Sequence, residues 1–260
     1  VGGMRQVPRK RQLRDLMDDL DATIPYLWKA LELFKSLSIP DFVRETEFVS
    51  LRGDNHYPFI GRELISSDGV CKGEDAYQTM TNEYLVDFST SKFCKLSRES
   101  FAVGALARFN NNYAWLTPKA KEVAEELALK PPVHNPFFHN LAQLVECFQV
   151  VYESKEMMAA LIDSDMSEYA ALYEIKKCEG VGAIEAPRGI LYHHLQIDQQ
   201  GKIERADCVI PTGQNHANIH FDLQKLVADM VAQGEGEEEI SQRAQMLVRA
   251  YDLCISCSVH

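Results

Sequence analysis

From Asn135 to Ile162 the chain reads NPFFHNLAQLVECFQVVYESKEMMAALI, an apolar stretch far too long for one strand. Strands run about 4–8 residues, so a run of this length is read as a helix. Asn135 offers a side-chain cap, and Pro136 a first residue whose φ is already fixed. A second helical pattern begins at Leu13 and continues through Leu16, Met17, Leu20, Ile24, Leu27, Leu31 and Phe34, and should stop before Pro40. Helices of this kind need a sizeable core, and 260 residues suit one large domain or two intimate ones.

Between and after these helices the texture changes. The pieces TEFVSLRG, GRELISSDGVCKG and NEYLVDFSTSKF within 42–95 are short, β-rich and broken by Gly and Asp-Gly. They predict a small antiparallel sheet or hairpins. LTPKAKEVAEELAL predicts a helix capped by Thr117 with Pro118 in its first turn. ILYHHLQID and KIERADCVIPT read as two strands joined by a Gln-Gln-Gly turn, with His193 and His194 on opposite faces. HANIHFDLQKLVADMVAQ and EEEISQRAQMLVRAYDL read as helices, the second opening on Glu237–Glu239, where the helix dipole favours negative charge.

Charge narrows the function. A net charge of −11 argues against nucleic acid or anionic lipid as the main partner. No run of about 18 apolar residues offers a membrane span. Five of the seven cysteines, Cys71, Cys94, Cys147, Cys178 and Cys208, are scattered and are read as buried thiols acting as small hydrophobes. Only Cys254 and Cys257 have ligand spacing, so a reducing, cytosolic setting fits best. Taken alone, that pair admits half of a structural zinc site, a redox dithiol, or a grip on one or two soft metals. His134, His139, His216 and His220 form no ligand pattern; His56 reads as a loop residue, and Phe137 and Phe138 as core.

Three motifs in order carry more. E-A-P-R-G-x-L-x-H-H at 185–194, V-I-P-T-x-x-N at 209–215 and R-A-Y-D-x-C-x-x-C-x-x-H at 249–260 resemble the large, catalytic subunits of nickel–iron hydrogenases. ESFAVGALARFNNN and NPFFHNLAQLVE resemble the cytoplasmic, methyl-viologen-reducing or heterodisulfide-reductase-linked branch. The resemblance runs from the Gly2-Gly3 pair to His260. It implies a helix-rich α+β fold, with long core helices and peripheral antiparallel strands. It also implies reversible heterolytic oxidation of H2 in the cytoplasm. Electrons would leave through a small iron–sulfur subunit, then through further electron-transfer subunits such as heterodisulfide reductase. A chain ending at His260 resembles the product of the family's C-terminal maturation.

The resemblance assigns roles by position. Cys254 and Cys257 would bind nickel, with Cys257 bridging to an iron that carries cyanide and carbon monoxide; soft thiolates suit such metals. Arg188 would reach over the metal pair, Pro187 would wall the pocket and Thr212 would donate to a cyanide. Asp252 would hold the arginine in place or sit in the canopy beside it. His260 and the main-chain carbonyl of Cys208 match ligands of a magnesium-type ion (magnesium or iron). Arg188 and Thr212 each have a plain structural reading, as a turn arginine and a strand-end hydroxyl.

Residues 1–260 thus read as one large-subunit-like domain, the C-terminal portion, lacking the N-terminal metal-binding part. The family's R-x-C-G-x-C stretch, its N-terminal glutamate and an acidic ligand of the magnesium-type ion are absent, and Leu253 stands where proline is usual. A segment of a longer chain, a split subunit or a degenerate site would each account for this, and the presence of Arg188, Cys254, Cys257 and His260 weighs against the last. The rival functions are a non-catalytic scaffold or assembly subunit of a redox complex, and a dithiol redox protein.

Overall fold

The computed structural model describes residues 7–165 and 174–258. Its elements in chain order are α1 (Lys10–Ser36), β1 (Glu47–Leu51), β2 (Glu63–Ser66), β3 (Cys71–Gly73), α2 (Tyr77–Thr81), β4 (Phe101–Ala102) and α3 (Ala105–Asn112). There follow α4 (Pro118–Glu126), α5 (His139–Asp163), β5 (Cys178–Ala186), β6 (Gly189–Ile197), β7 (Ile203–Val209), α6 (Pro211–Ala232), α7 (Glu237–Ala250) and α8 (Ile255–Ser258). This is the helix-rich α+β arrangement expected.

The predicted long helix forms, one step later than its motif suggests. Asn135 accepts from the Phe137 amide at 3.0 Å, Pro136–Phe138 make one 3-10 turn, and α5 then runs from His139. Phe137 is buried in a cluster with Phe42, Ile219 and Tyr251, while Phe138 is half-buried against the core of α3 and α5. Helix α1 lies along α5, with Trp28 meeting Phe148 edge-on at 5.0 Å and Lys155 paired with Asp21. Of the apolar stripe on α1, only Leu13 and Leu31 are fully buried. Helices α3 and α4 close this core with Leu106, Phe109, Val123 and Leu144 of α5.

Thr117 caps α4 as predicted, accepting from the Ala120 amide at 3.3 Å, while its own amide donates to Gln149 of α5 at 2.7 Å. Thr117→Ala removes only the hydroxyl. A loss of about 1 kcal/mol is expected, read as a lower urea midpoint at unchanged m.

Two sheets flank the helices. The first has the order β3-β2-β1-β4, antiparallel except for the parallel β1–β4 pair, which registers Glu47 with Phe101. NEYLVDFSTSKF adds no strand, only an isolated bridge between Tyr84 and Phe93. The second sheet, β5-β6-β7, is antiparallel throughout. Its strand β5 is not expected from the sequence, where CEGVGAIEA runs into the arginine motif without a strand pattern of its own. In fact β5 and β6 pair up to Ala186 and Gly189, leaving Pro187 and Arg188 as the hairpin's tip. The Gln-Gln-Gly turn joins β6 to β7, with the Gly201 amide donating to the Asp198 carbonyl at 3.1 Å.

Three expectations need correction. PTGQN does not end a strand: Pro211 starts α6, so Thr212 lies in a helical first turn, because proline at the first helical position has no N–H to waste. Helix α7 stops at Ala250, before Tyr251 and Asp252. Among the five scattered cysteines only Cys94 is buried; Cys71, Cys147, Cys178 and Cys208 are exposed, on strand positions and a helix face that point away from the cores.

Candidate metal centre at the Cys254–Cys257 turn

The terminal motif is held by a left-handed turn directly after α7. Asp252 takes φ +51°, a left-handed conformation that aspartate tolerates better than most residues, and its amide donates to the Arg249 carbonyl at 3.0 Å. This turn lays the Cys254 amide against Thr212, whose Oγ1 accepts from it at 3.3 Å. The motif therefore docks on the first turn of α6, where unpaired N–H groups favour negative charge. Cys254 and Cys257 lie one turn apart, Cα to Cα 5.4 Å, and are joined as a disulfide.

Arg188 reaches the same turn from the β5–β6 hairpin. Its Nε donates to the Asp252 carbonyl and lies 3.2 Å from Asp252 Oδ2, and its Nη2 donates to Oδ1 at 3.2 Å. Gln143 of α5 donates to Oδ2 at 3.3 Å, so Asp252 is tied from two elements. Arg188 and Asp252 remain 38% and 41% exposed, which limits their pairing to about 0–1 kcal/mol and leaves the guanidinium accessible. Their geometry suits orientation more than stability.

The hairpin tip is itself clamped. Gly189 has φ +135°, and a Cβ there would run into Val103. Gly104, at φ +101°, brings its backbone so close that a Cβ would sit 3.0 Å from the Arg188 carbonyl oxygen. Glycine is required at both positions by conformation and by room. Asn215 of α6 accepts from the Val103 amide at 2.9 Å and extends its own Nδ2 to the Arg188 carbonyl at 3.5 Å.

Beneath the tip lies a fully buried guanidinium that sequence reading missed. Arg108 of α3 is 0% exposed. It binds Glu146 of α5 through two bonds of 2.6 Å and Glu185 of β5 at 2.8 Å, and it donates to the carbonyls of Ala186 at 2.9 Å and Pro187 at 3.0 Å. Glu185 also accepts from the Leu51 amide at 2.8 Å, and Tyr57 donates to Glu146 at 2.7 Å. Burial pulls the Arg108 pKa down, but the two carboxylates outweigh it and hold the guanidinium charged. For Glu185, burial raises the pKa more than Arg108 lowers it. The available signal was one arginine inside the apolar run AVGALARF, since arginine is rarely buried unless paired.

Five predicted site residues thus meet: Arg188, Asp252, Thr212, Cys254 and Cys257. Pro187 is exposed at the hairpin tip. The Cys208 thiol is exposed and lies 3.4 Å from His193 Nδ1 across the strand pair. His193 is exposed and His194 half-buried, as alternation predicted, with His194 bonded to Glu179 at 2.6 Å and near the Tyr77 hydroxyl at 3.1 Å. His260 lies outside the described residues. Among the described residues, no group of three or more His, Cys, Asp or Glu side chains is placed to hold a metal ion. In reduced form, Cys254 and Cys257 supply two soft thiolates from one turn, a donor set suited to nickel or iron but filling only part of a coordination shell.

A helix-rich core with a two-thiol terminal turn under an arginine-bearing hairpin is the arrangement that the resemblance to nickel–iron hydrogenase large subunits implies. The chain matches the nickel-dependent hydrogenase family over residues 65–260, and it belongs to that family. The alpha subunit of sulfhydrogenase 1 from Pyrococcus furiosus is 32% identical over 270 residues, covering all of this chain and 60% of the relative. One subunit of the F420-non-reducing hydrogenase from Methanothermobacter marburgensis is 31% identical over 166 residues, covering 62% of this chain and 34% of the relative. Among solved structures, an H2-reduced NAD+-reducing [NiFe]-hydrogenase superposes with a TM-score of 0.81 at 20% identity, over all of this chain and 62% of that one. The Ni-Fe-Se hydrogenase of Desulfomicrobium baculatum gives 0.72 at 18% identity, covering 100% and 63%. These likenesses show the fold. The chain spans about 60% of the length of the two sulfhydrogenase proteins it matches along its whole length.

Proposed function

We propose that this chain is the catalytic subunit, or its C-terminal part, of a nickel–iron hydrogenase working in the cytoplasm. The observation that carries the reading is the convergence of Arg188, Asp252 and Thr212 on the Cys254–Cys257 turn in a member of this family. Cys254 and Cys257, reduced, would hold the nickel–iron centre from this turn. Two further thiolates must come from outside this sequence. A nickel–iron centre with cyanide and carbon monoxide supplies heterolytic cleavage of H2 when bound.

The chain's own residues do the rest. Cys254 Sγ, reduced to a thiolate, or Arg188 would take up the released proton. Arg188 presents a planar guanidinium to the site and is aimed by Asp252. Thr212 Oγ1 accepts from the Cys254 amide, leaving its hydrogen free to donate to an anionic ligand. Pro187 walls the hairpin side. His260, with the Cys208 carbonyl, would bind a magnesium-type ion. Electrons leave to an iron–sulfur subunit, with heterodisulfide reductase or a similar carrier beyond it, because this chain has no cysteine set for a cluster. The matching M. marburgensis protein is one subunit of a hydrogenase, which supports a multisubunit assembly. No helix among the described residues is long and apolar enough to cross a membrane.

A second reading, a dithiol redox protein, is favoured by the Cys254–Cys257 disulfide. Metal analysis of the assembled complex, purified anaerobically under reduction, separates the two. One nickel per chain, with infrared bands from cyanide and carbon monoxide, is the expected result. Protein free of nickel and without those bands, cycling between dithiol and disulfide, would leave the hydrogenase proposal untenable.

A further inference from the structure

The geometry points to Arg108 as the positioning residue for Arg188. This rests on the hydrogenase reading above for its catalytic meaning, though not for its structural content. A buried guanidinium needs compensation, and Glu146 and Glu185 provide it. If charge balance were its whole role, donors would be spent on the carboxylates alone. Instead, Nη1 is shared between Glu185 and the Ala186 carbonyl, and Nη2 between Glu146 and the Pro187 carbonyl. Those two carbonyls belong to the residues immediately before Arg188. Ala186 is the last residue of β5, so beyond it no ladder bond fixes the tip.

Arg108 stands four residues after Gly104, and its amide donates to the Gly104 carbonyl at 2.9 Å. The first turn of α3 therefore grips the hairpin tip at two points. Gly104 meets the Arg188 carbonyl from one side, and the Arg108 fork holds the two preceding carbonyls. The peptide planes on both sides of Arg188 are set by one rigid helical turn. That turn is anchored to α5 through Glu146, and α5 also carries Gln143, which ties Asp252. One helix thus references both ends of the Arg188–Asp252 pair.

Arg108→Lys tests this. An ammonium keeps the charge between Glu146 and Glu185, but a point donor on a shorter reach cannot also serve two carbonyls in a planar fork. Amide exchange across Ala186–Ile190 in the metal-free chain is expected to rise roughly tenfold relative to the α5 amides. In the metal-loaded complex, kcat should fall with KM for H2 little changed, and the cyanide and carbon monoxide bands should shift. Tyr57→Phe, which loosens Glu146 without touching the tip, is the control. It should lower the melting temperature while leaving the ratio of tip to α5 exchange at the wild-type value. If Arg108→Lys raised exchange evenly across tip and core, or left the tip unchanged in a folded protein, Arg108 would be a core ion pair and no more. If the tip loosens but the complex binds no nickel, the positioning stands and the hydrogenase reading fails. Should Arg108→Lys not fold, Arg108→Gln together with Glu146→Gln and Glu185→Gln, which leaves no uncompensated buried charge, gives the same exchange readout.

Discussion

Cys257→Ser is expected to strip the assembled complex of nickel while leaving the fold of this chain intact. Both halves of that expectation have a physical basis. Cys257 is exposed and follows the last core residues of the motif, Tyr251 and the half-buried Leu253. Serine is nearly isosteric there and loses little packing, so far-ultraviolet circular dichroism and the urea midpoint should stay close to wild type. A neutral hydroxyl is a hard, weakly acidic donor, and nickel and iron here would select soft thiolate. Loss of an outer partner of a metal ligand costs about 10–100-fold in affinity, so loss of the ligand itself should exceed about 100-fold. The check is nickel content per chain after anaerobic gel filtration. A Cys257→Ser complex that kept one nickel, or that kept H2-dependent dye reduction, would place the metal elsewhere.

This expectation rests on residues the sequence displayed openly. Cys254, Cys257, Arg188, Thr212 and Asp252 stand in ordered motifs, and they converge because each lies at the edge of an element whose boundary is also written locally: proline at the start of α6, the left-handed Asp252 after α7, glycine after the hairpin tip. The long helices were legible for a similar reason, since apolar spacing over many residues is a strong signal. What could not be read is long-range. Arg108, Glu146 and Glu185 are separated by 38 and 77 residues in their pairings, and no local pattern announces that three charges will meet in a dry core. The same holds for Arg44, which pairs with Asp222 and reaches Asn218 across more than 170 residues. Strand β5 was missed because two glycines, two glutamates and two alanines weaken its β-signal; its existence depends on the β6 partner. The exposed cysteines show the limit of composition, since a thiol's burial is decided by which face of an element it occupies.

Acid should unfold this protein chiefly through a histidine that no motif highlighted. His139 begins α5, is 5% exposed and packs its ring against Tyr251 with centroids 4.5 Å apart. Its Nε2 is buried and has no hydrogen-bond partner among the described residues. Burial, and secondarily the charge of Arg108, pushes its pKa down from 6.5 to about 3. A base whose folded pKa is depressed is neutral in the native state. Its contribution is therefore complete above 6.5 and is lost as pH falls toward 3, because only the unfolded chain takes up the proton in that window. The slope is about 1.4 kcal/mol per pH unit, and the loss on the order of 4 kcal/mol by the lower end. That is a large share of a native stability of about 5–15 kcal/mol. Asp222 and Glu185 act in the opposite sense, since burial raises their pKa values and protonation on acidification relieves them. His134 and His216 are also lowered by burial and add to the same trend. The wild-type curve alone therefore mixes several groups, and a variant isolates one. His139→Phe keeps a ring against Tyr251 and removes the titration, while the other groups remain. Urea unfolding at steps from about pH 7 down to the acid limit should give two curves that match near neutrality and diverge below pH 6.5, the variant falling less steeply by up to one proton. Parallel curves would mean that His139 is hydrated or partnered in solution and is not the group that acid strikes.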